Sequence, residues 1–554
     1  AFFIAILSFN LWGQGMRRFL DDTRANVSRL FNRYTVTVSV GAVVGLILLL
    51  RATSPLGIYR SQATAFDTTR ALQDIQQLAS PAFEGRETGT LGAQKTAAYI
   101  AERMQEIGLF PAGAKVNGQE TFIVSNTTPR AHLRQTPTLE ILGNQGDVTQ
   151  ALTYRQDFVE YVGRGLAYAR RSTFGRAEGV VMGLVSGRDP ETTASDHYGM
   201  NQMSLRDKIL IVRPQDAERI NTAAAAGFLV VSDDPLLMQR KVLYGGNEGR
   251  VPMMIVTTAI ADRLLASTGS SMAQLEAAAA SLKAGEVTLT PAGDPVRMVI
   301  EAEISDGISE QYYHVVGFIP GQAAEMGLDS QVIMVTASYD GVGVGPDGAS
   351  YPGANDNASG VATMLELARA LKNSPYQPNK TVVFVAWAGG ERNEGLSVFN
   401  VMAAKIGFSS LQLEAVIELS GVGGGSGDAL ALGQGSSFRL VQLFQDAAGR
   451  LGVATTTRGR DPHFGQPAPP GFGGRSALTM YLSWDGSDAL AETPQDTPDA
   501  IELPTDRTRP TVPSGHGARV HFEIPAQVGD RVRAVAREAG ATPFMVLHAA
   551  LVVQ

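Results

Sequence analysis

A glycine-rich turn that carries one acid, lies between two apolar runs and leads into a helix constrains this chain more than any other stretch. It reads Tyr351-Pro-Gly-Ala-Asn-Asp-Asn-Ala-Ser-Gly-Val-Ala-Thr-Met-Leu-Glu-Leu-Ala-Arg-Ala-Leu371. After the turn, apolar residues recur at the spacing of a helix that buries one face. Val332 to Thr336 before it and Thr381 to Trp387 after it are short runs rich in β-branched residues, which predicts strands. Strand, loop, helix and strand in that order make a unit of an α/β sheet. Asp356 then stands at a strand's carboxyl end, where such sheets place their ligands. Taken alone, Asn-Asp-Asn also suits an Asx turn that caps a helix.

The whole phrase closely resembles the metal-bridging loop of metallopeptidase family 28, the bacterial leucyl aminopeptidase type. Other phrases follow in that family's order. Residues 78–113 resemble its opening segment, a Gly-Arg turn and an amphipathic helix, and 313–337 resemble the strand pair that leads to the metal site. Residues 381–398 resemble the strand and loop with the catalytic carboxylates, and AETPQDTPDAIEL (491–503) the last metal-ligand loop. The resemblance spans roughly 65 to 503. It implies a three-layer α/β fold with a mixed, mostly parallel sheet of the zinc exopeptidase type.

The resemblance also implies two zinc ions held by two His, two Asp and one Glu, with a neighbouring Glu as general base. Carried over position by position, the set changes. The His-x-Asp phrase reads Ser338-Tyr339-Asp340, so Ser338 replaces a His and Asp340 stays behind it. The bridging acid matches Asp356. In Trp387-Ala388-Gly389-Gly390-Glu391 the base position falls on Gly390 and the ligand on Glu391, although Asn393 and Glu394 let this alignment slide. Ser420 stands at the second Asp and Glu492 at the last His. Serine hydroxyls are poor zinc ligands. Without its base, bound water loses the usual route to activation. The expectation is a degenerate site. Asp356, Glu391 and Glu492, with Asp340 behind them, could instead form an oxygen-only cluster suited to calcium, magnesium or manganese. They could also hold no ion and pair with arginines such as Arg392 and Arg475. Of the seven His, His314 falls at a strand start where the family has Asn, and His463 lies in a loop that could approach the cleft.

Several functional classes are narrowed by composition. The net charge of −8 argues against nucleic acid as a partner. The absence of cysteine excludes disulfides, thiolate metal sites and a cysteine nucleophile. At 554 residues the chain is too long for one compact domain.

Tyr34 to Leu50 carries no charge, and Arg17, Arg18, Arg24, Arg29 and Arg33 precede it. That pattern predicts a transmembrane helix over 34–51, a single-pass anchor with a cytoplasmic amino side and the globular part extracytoplasmic. Residues 1–33 hold a segment, AFFIAILSFNLWGQGMRRFLDD, that resembles the end of a dipeptide/oligopeptide ABC transporter permease, which would imply association with a transporter. Residues 504–554 resemble a piece of the condensation domain of nonribosomal peptide synthetases, without its double-His phrase. With such ends, and starting at Ala1, the chain reads as a fragment, a fusion or a chimera.

Between 141 and 299 the peptidase-like pattern of 65–140 and 300–503 is interrupted. Lys208–Arg213, Phe228–Ser232 and Val251–Val256 read as strands, Ala217–Ala226 as a helix closed by Gly227, and 257–283 as helices. This order resembles the small, β-rich protease-associated domain inserted in such peptidases. Three functions remain open: an exopeptidase (aminopeptidase type) on extracytoplasmic peptides, a non-catalytic module that binds a peptide or glycan, and a transporter-associated accessory domain.

Overall fold

The computed structural model describes residues 42, 43 and 45 and, within 65–498, all except 129–130, 134, 144, 162, 165–169, 173, 188–204, 218–224, 242, 245–250, 284–285, 305–310, 323–331, 376, 393–394, 396–397, 401, 403–412, 425–428, 434–437, 459–478 and 486–489. The permease-like segment, all but three residues of the Tyr34–Leu50 stretch, His463, Arg475 and the 504–554 piece lie outside the described residues. No helix among the described residues is long and apolar enough to cross a membrane.

Five strands organise the peptidase-like part: β1 (Gln311–Ile319), β2 (Val332–Ser338), β3 (Thr381–Trp387), β4 (Leu413–Leu419) and β5 (Thr479–Trp484). They lie in the order β1, β3, β2, β4, β5 within a nine-stranded mixed sheet. Strand β1 runs antiparallel to β3, whereas β3, β2, β4 and β5 are mutually parallel neighbours. Short strands at both margins complete the sheet. Parallel strands covered on both faces read as unbroken apolar runs, and β3 shows why. Its Val382, Phe384 and Ala386 enter one core, and Val383, Val385 and Trp387 enter the other. Each Val or Phe side chain among them taken fully out of water contributes about 1.5–3 kcal/mol.

Helices α1 (Thr68–Leu78), α2 (Leu91–Ile107) and α3 (Ser359–Lys372) cover the first face. Helix α2 presents Ala93, Ala97, Ile100, Met104 and Ile107 to the sheet, a stripe at helical spacing. Thr90 caps its first turn by accepting from the Ala93 amide at 3.3 Å, and Gly108 ends it in the left-handed conformation. Asp67 caps α1 through the amides of Thr69 and Arg70.

A second nine-stranded sheet is built from residues 138–300. Four parallel strands, Gly175–Ser186, Leu205–Val212, Ala225–Val231 and Met253–Val256, form its centre. It too is buried on both faces: Ile209 and Ile211 point into one core, Leu210 and Val212 into the other. The helices Thr258–Leu265 and Met272–Ser281 pack on one side. This is more extensive than the small β-rich unit expected. The expected helix over Ala217–Ala226 is corrected at its carboxyl end: Ala217 closes the short helix Pro214–Ala217, Ala225 and Ala226 belong to a strand, and 218–224 lie outside the described residues. Gly227 is a strand residue, not a cap. A Cβ on it would lie 2.9 Å from Met298 Sδ and 3.3 Å from Ala177 Cβ, so the glycine marks close packing within the sheet.

Candidate functional site

The carboxyl ends of β2, β3 and β4 meet the turn before α3, and side-chain hydrogen bonds join them. Asn357 is the hub. Its Nδ2 donates to the carbonyls of Ser338 and Leu419, both at 2.9 Å, and its Oδ1 accepts from the amides of Gly360 and Gly421 at 3.2 and 3.1 Å. Ser338, at the end of β2, and Ser420, just past β4, therefore flank one buried amide. Asp356, next in the chain, is half-buried.

Asp340 follows β2 and is buried. Its carboxylate accepts from the Thr88 hydroxyl at 2.9 Å and from the amides of Gly390 and Glu391 at 3.0 and 3.3 Å. The turn after β3 thus closes on the turn after β2 and brings Glu391 beside Asp340. Burial pushes the Asp340 carboxyl up from its ordinary value against these hydrogen bonds.

Two residues whose importance sequence reasoning missed hold the acid-bearing turn. Asp496 is 2% exposed, and its carboxylate accepts from the amides of Asn355 at 2.7 Å and Asp356 at 2.9 Å. Its carboxyl is likewise raised by burial. It stands in the same phrase as Glu492, four positions on, which was the available signal. Arg86 is fully buried and donates to four carbonyls: Tyr339, Leu78, Pro352 and Gly353, at 2.6–2.8 Å. It fastens the Gly85-Arg86 turn to both the end of β2 and the start of the Asp356 turn. Burial draws its pKa down, opposed by the negative charges of Asp496, Asp340, Asp356 and Glu391 in that order. Four carboxylates therefore act on one buried guanidinium. Glu492 is buried, and its backbone is in the left-handed region at φ 59°.

Among the described residues the donors at these positions do not fit a pair of zinc ions. Among the described residues no three His, Asp or Glu side chains form a group that could hold a metal ion. His314 does not supply the missing imidazole, because both its nitrogens are engaged. Nε2 lies 2.6 Å from Asn126 Oδ1, and Nδ1 accepts from the Ala388 amide at 3.2 Å. At position 390 the obstacle is spatial. A Cβ there would lie 2.4 Å from Ser338 Cβ and 2.8 Å from Ser338 Oγ. The serine side chain occupies the space through which a carboxylate at 390 would have to pass.

Comparison with known proteins agrees with this architecture. The crystal structure of a Peptidase M28 precursor from Shewanella amazonensis SB2B is similar over 81% of this chain and 92% of its own, with a TM-score of 0.50 and 15% identity, which speaks to the fold alone. A probable zinc metalloprotease of Pyrenophora tritici-repentis is 46% identical over 72 residues, 13% of this chain and 16% of that protein. The probable non-canonical nonribosomal peptide synthetase CymA of Salinispora arenicola is 48% identical over 56 residues, 10% of this chain. The matched stretches thus span 16% and 1% of these relatives' lengths. The family whose model matches residues 314–466 is Peptidase family M28, and within that stretch lie Ser338, Asp340, Asp356, Gly390, Glu391 and Ser420.

Proposed function

We propose that the site at the ends of β2, β3 and β4 receives peptides in the manner of an M28 aminopeptidase but does not hydrolyse them by two-zinc chemistry. The observation that carries this reading is the contact at position 390. The residue in the base position has no side chain, and Ser338 fills the space one would need. Ser338, Ser420 and Glu492 stand where the family resemblance calls for His, Asp and His, so the chain's donors differ from those of a zinc peptidase. Asp356 and Glu391 bring carboxyl groups to these strand ends. Carboxyl groups suit the amino-terminal ammonium of a peptide better than a neutral glycan. Placement outside a membrane rests on the Tyr34–Leu50 stretch and its flanking arginines alone.

The test is calorimetric titration of the full chain with a short free-amine peptide and with its N-acetylated form, both in excess chelator. The free-amine peptide should bind with a dissociation constant on the order of 10 µM to 1 mM. Acetylation or Asp356→Asn should weaken binding, and the peptide should be recovered intact. Equal binding of both peptides, or cleavage of the peptide in a parallel titration with added zinc and no chelator, contradicts the reading.

A further inference from the structure

A three-residue segment of the second sheet's connections contacts both loops that flank this site. It follows the short helix Pro235–Gln239, whose end runs into extended backbone at Arg240. The Gln239 carbonyl accepts from the Tyr351 hydroxyl at 3.1 Å and from Arg155 Nη1 at 2.8 Å. Its side-chain amide oxygen accepts from Gln495 Nε2. Lys241 donates its backbone N–H to the Glu492 carbonyl at 3.0 Å. Its ammonium pairs with Glu87 Oε2 at 2.7 Å and also donates to the Val342 carbonyl. The lysine and glutamate side chains are only 11% and 15% exposed.

These contacts fall on two different loops. Val342 and Tyr351, with Glu87 beside them, belong to the loop that continues into Pro352, Gly353 and the Asp356 turn. Glu492 and Gln495 belong to the loop that ends in Asp496. Arg155, which donates to the Gln239 carbonyl, also pairs through Nε with Asp347 Oδ2 at 2.7 Å, in the first of these loops. Glu87 adjoins Thr88, whose hydroxyl holds Asp340. Glu492 keeps a left-handed backbone that costs a non-glycine residue energy and persists only where its surroundings impose it.

We propose that Gln239–Lys241 is a strap that holds the two loops flanking the Asp356 turn in register, and that Lys241 is its positioning residue. A largely buried ion pair suits that task. It is little screened by salt, and removing one partner leaves the other charge uncompensated. The strap reaches both sides of the acid cluster without lending it a ligand. The second sheet therefore shapes the site through backbone placement.

The experiment is amide hydrogen exchange on the full chain, comparing the unmodified protein with Lys241→Met. Methionine keeps most of the side chain's length and removes the ammonium. Exchange at 341–353 and at 490–497 should become at least about tenfold faster, while α2 is unchanged. Lys241→Arg should restore part of the protection. If Lys241→Met does not fold, the Glu87→Gln/Lys241→Met pair leaves no unpaired charge and must show the same two-loop effect. Unchanged exchange in both loops, acceleration in only one, or acceleration spread evenly through α2 overturns the proposal.

Discussion

At the residue scale, Asp496 shows how a carboxylate can build a site without serving as its chemistry. It receives two backbone amides of the turn that carries Asp356. Asp496→Asn keeps an acceptor for one amide and turns an NH2 toward the other, which should cost about 1–3 kcal/mol in denaturant unfolding. The cost should depend on pH with a definite sign. Burial raises the Asp496 carboxyl above its ordinary 3.8, so the folded protein holds this proton more tightly than the unfolded chain. That contribution is fully present below 3.8 and is lost as pH rises through the folded value. The asparagine does not titrate, so the penalty of the substitution should shrink as pH rises across that window. A penalty that grows with pH would contradict the assignment. Asp496 and Arg86 lie inside quoted phrases of the sequence, but nothing in one sequence says which carbonyls or amides a buried side chain will meet. Asp356 was placed at a strand end by the strand–loop–helix order, whereas Asp340 and Glu391 were singled out by the family resemblance.

At the element scale, the turn after β3 and the end of β2 are packed as one piece. A Cβ on Gly390 would meet both the Cβ and the hydroxyl of Ser338. Gly390→Ala should therefore destabilise the protein by about 1–3 kcal/mol, as overpacking does. In a double-mutant cycle, Ser338→Gly should recover most of that loss. Additive effects, with no recovery, would place the two residues apart. The strands and α3 were readable from apolar runs and helical spacing, and β3 spans Thr381–Trp387 as expected. Of the helix expected at Ala217–Ala226, the described residues place Ala217 in a helix and Ala225 and Ala226 in a strand, because alanine-rich sequence suits either state. Pairing with Leu205–Val212 and Met253–Val256 drew Ala225–Val231 into the sheet.

At the scale of the molecule, the first sheet supplies the acids, and a connection of the second supplies the Gln239–Lys241 segment that contacts the two loops around them. The mixed, mostly parallel first sheet follows from the strand–loop–helix–strand phrase. The extent of the second could not be read from its separate short runs, because its strands gain their burial from partners distant in sequence. The donor set at the strand ends is the point on which the functional account turns. Carboxylates and serines replace most of the nitrogen and acid ligands that the family resemblance implies, and zinc prefers the latter. The direct measurement is the zinc-to-protein ratio of the purified full chain after dialysis, determined by elemental analysis alongside an aminoacyl-anilide assay. The account predicts zinc well below one ion per chain and no turnover above the protein-free rate. Two zinc ions per chain, with robust hydrolysis that disappears in Glu391→Ala, would contradict it.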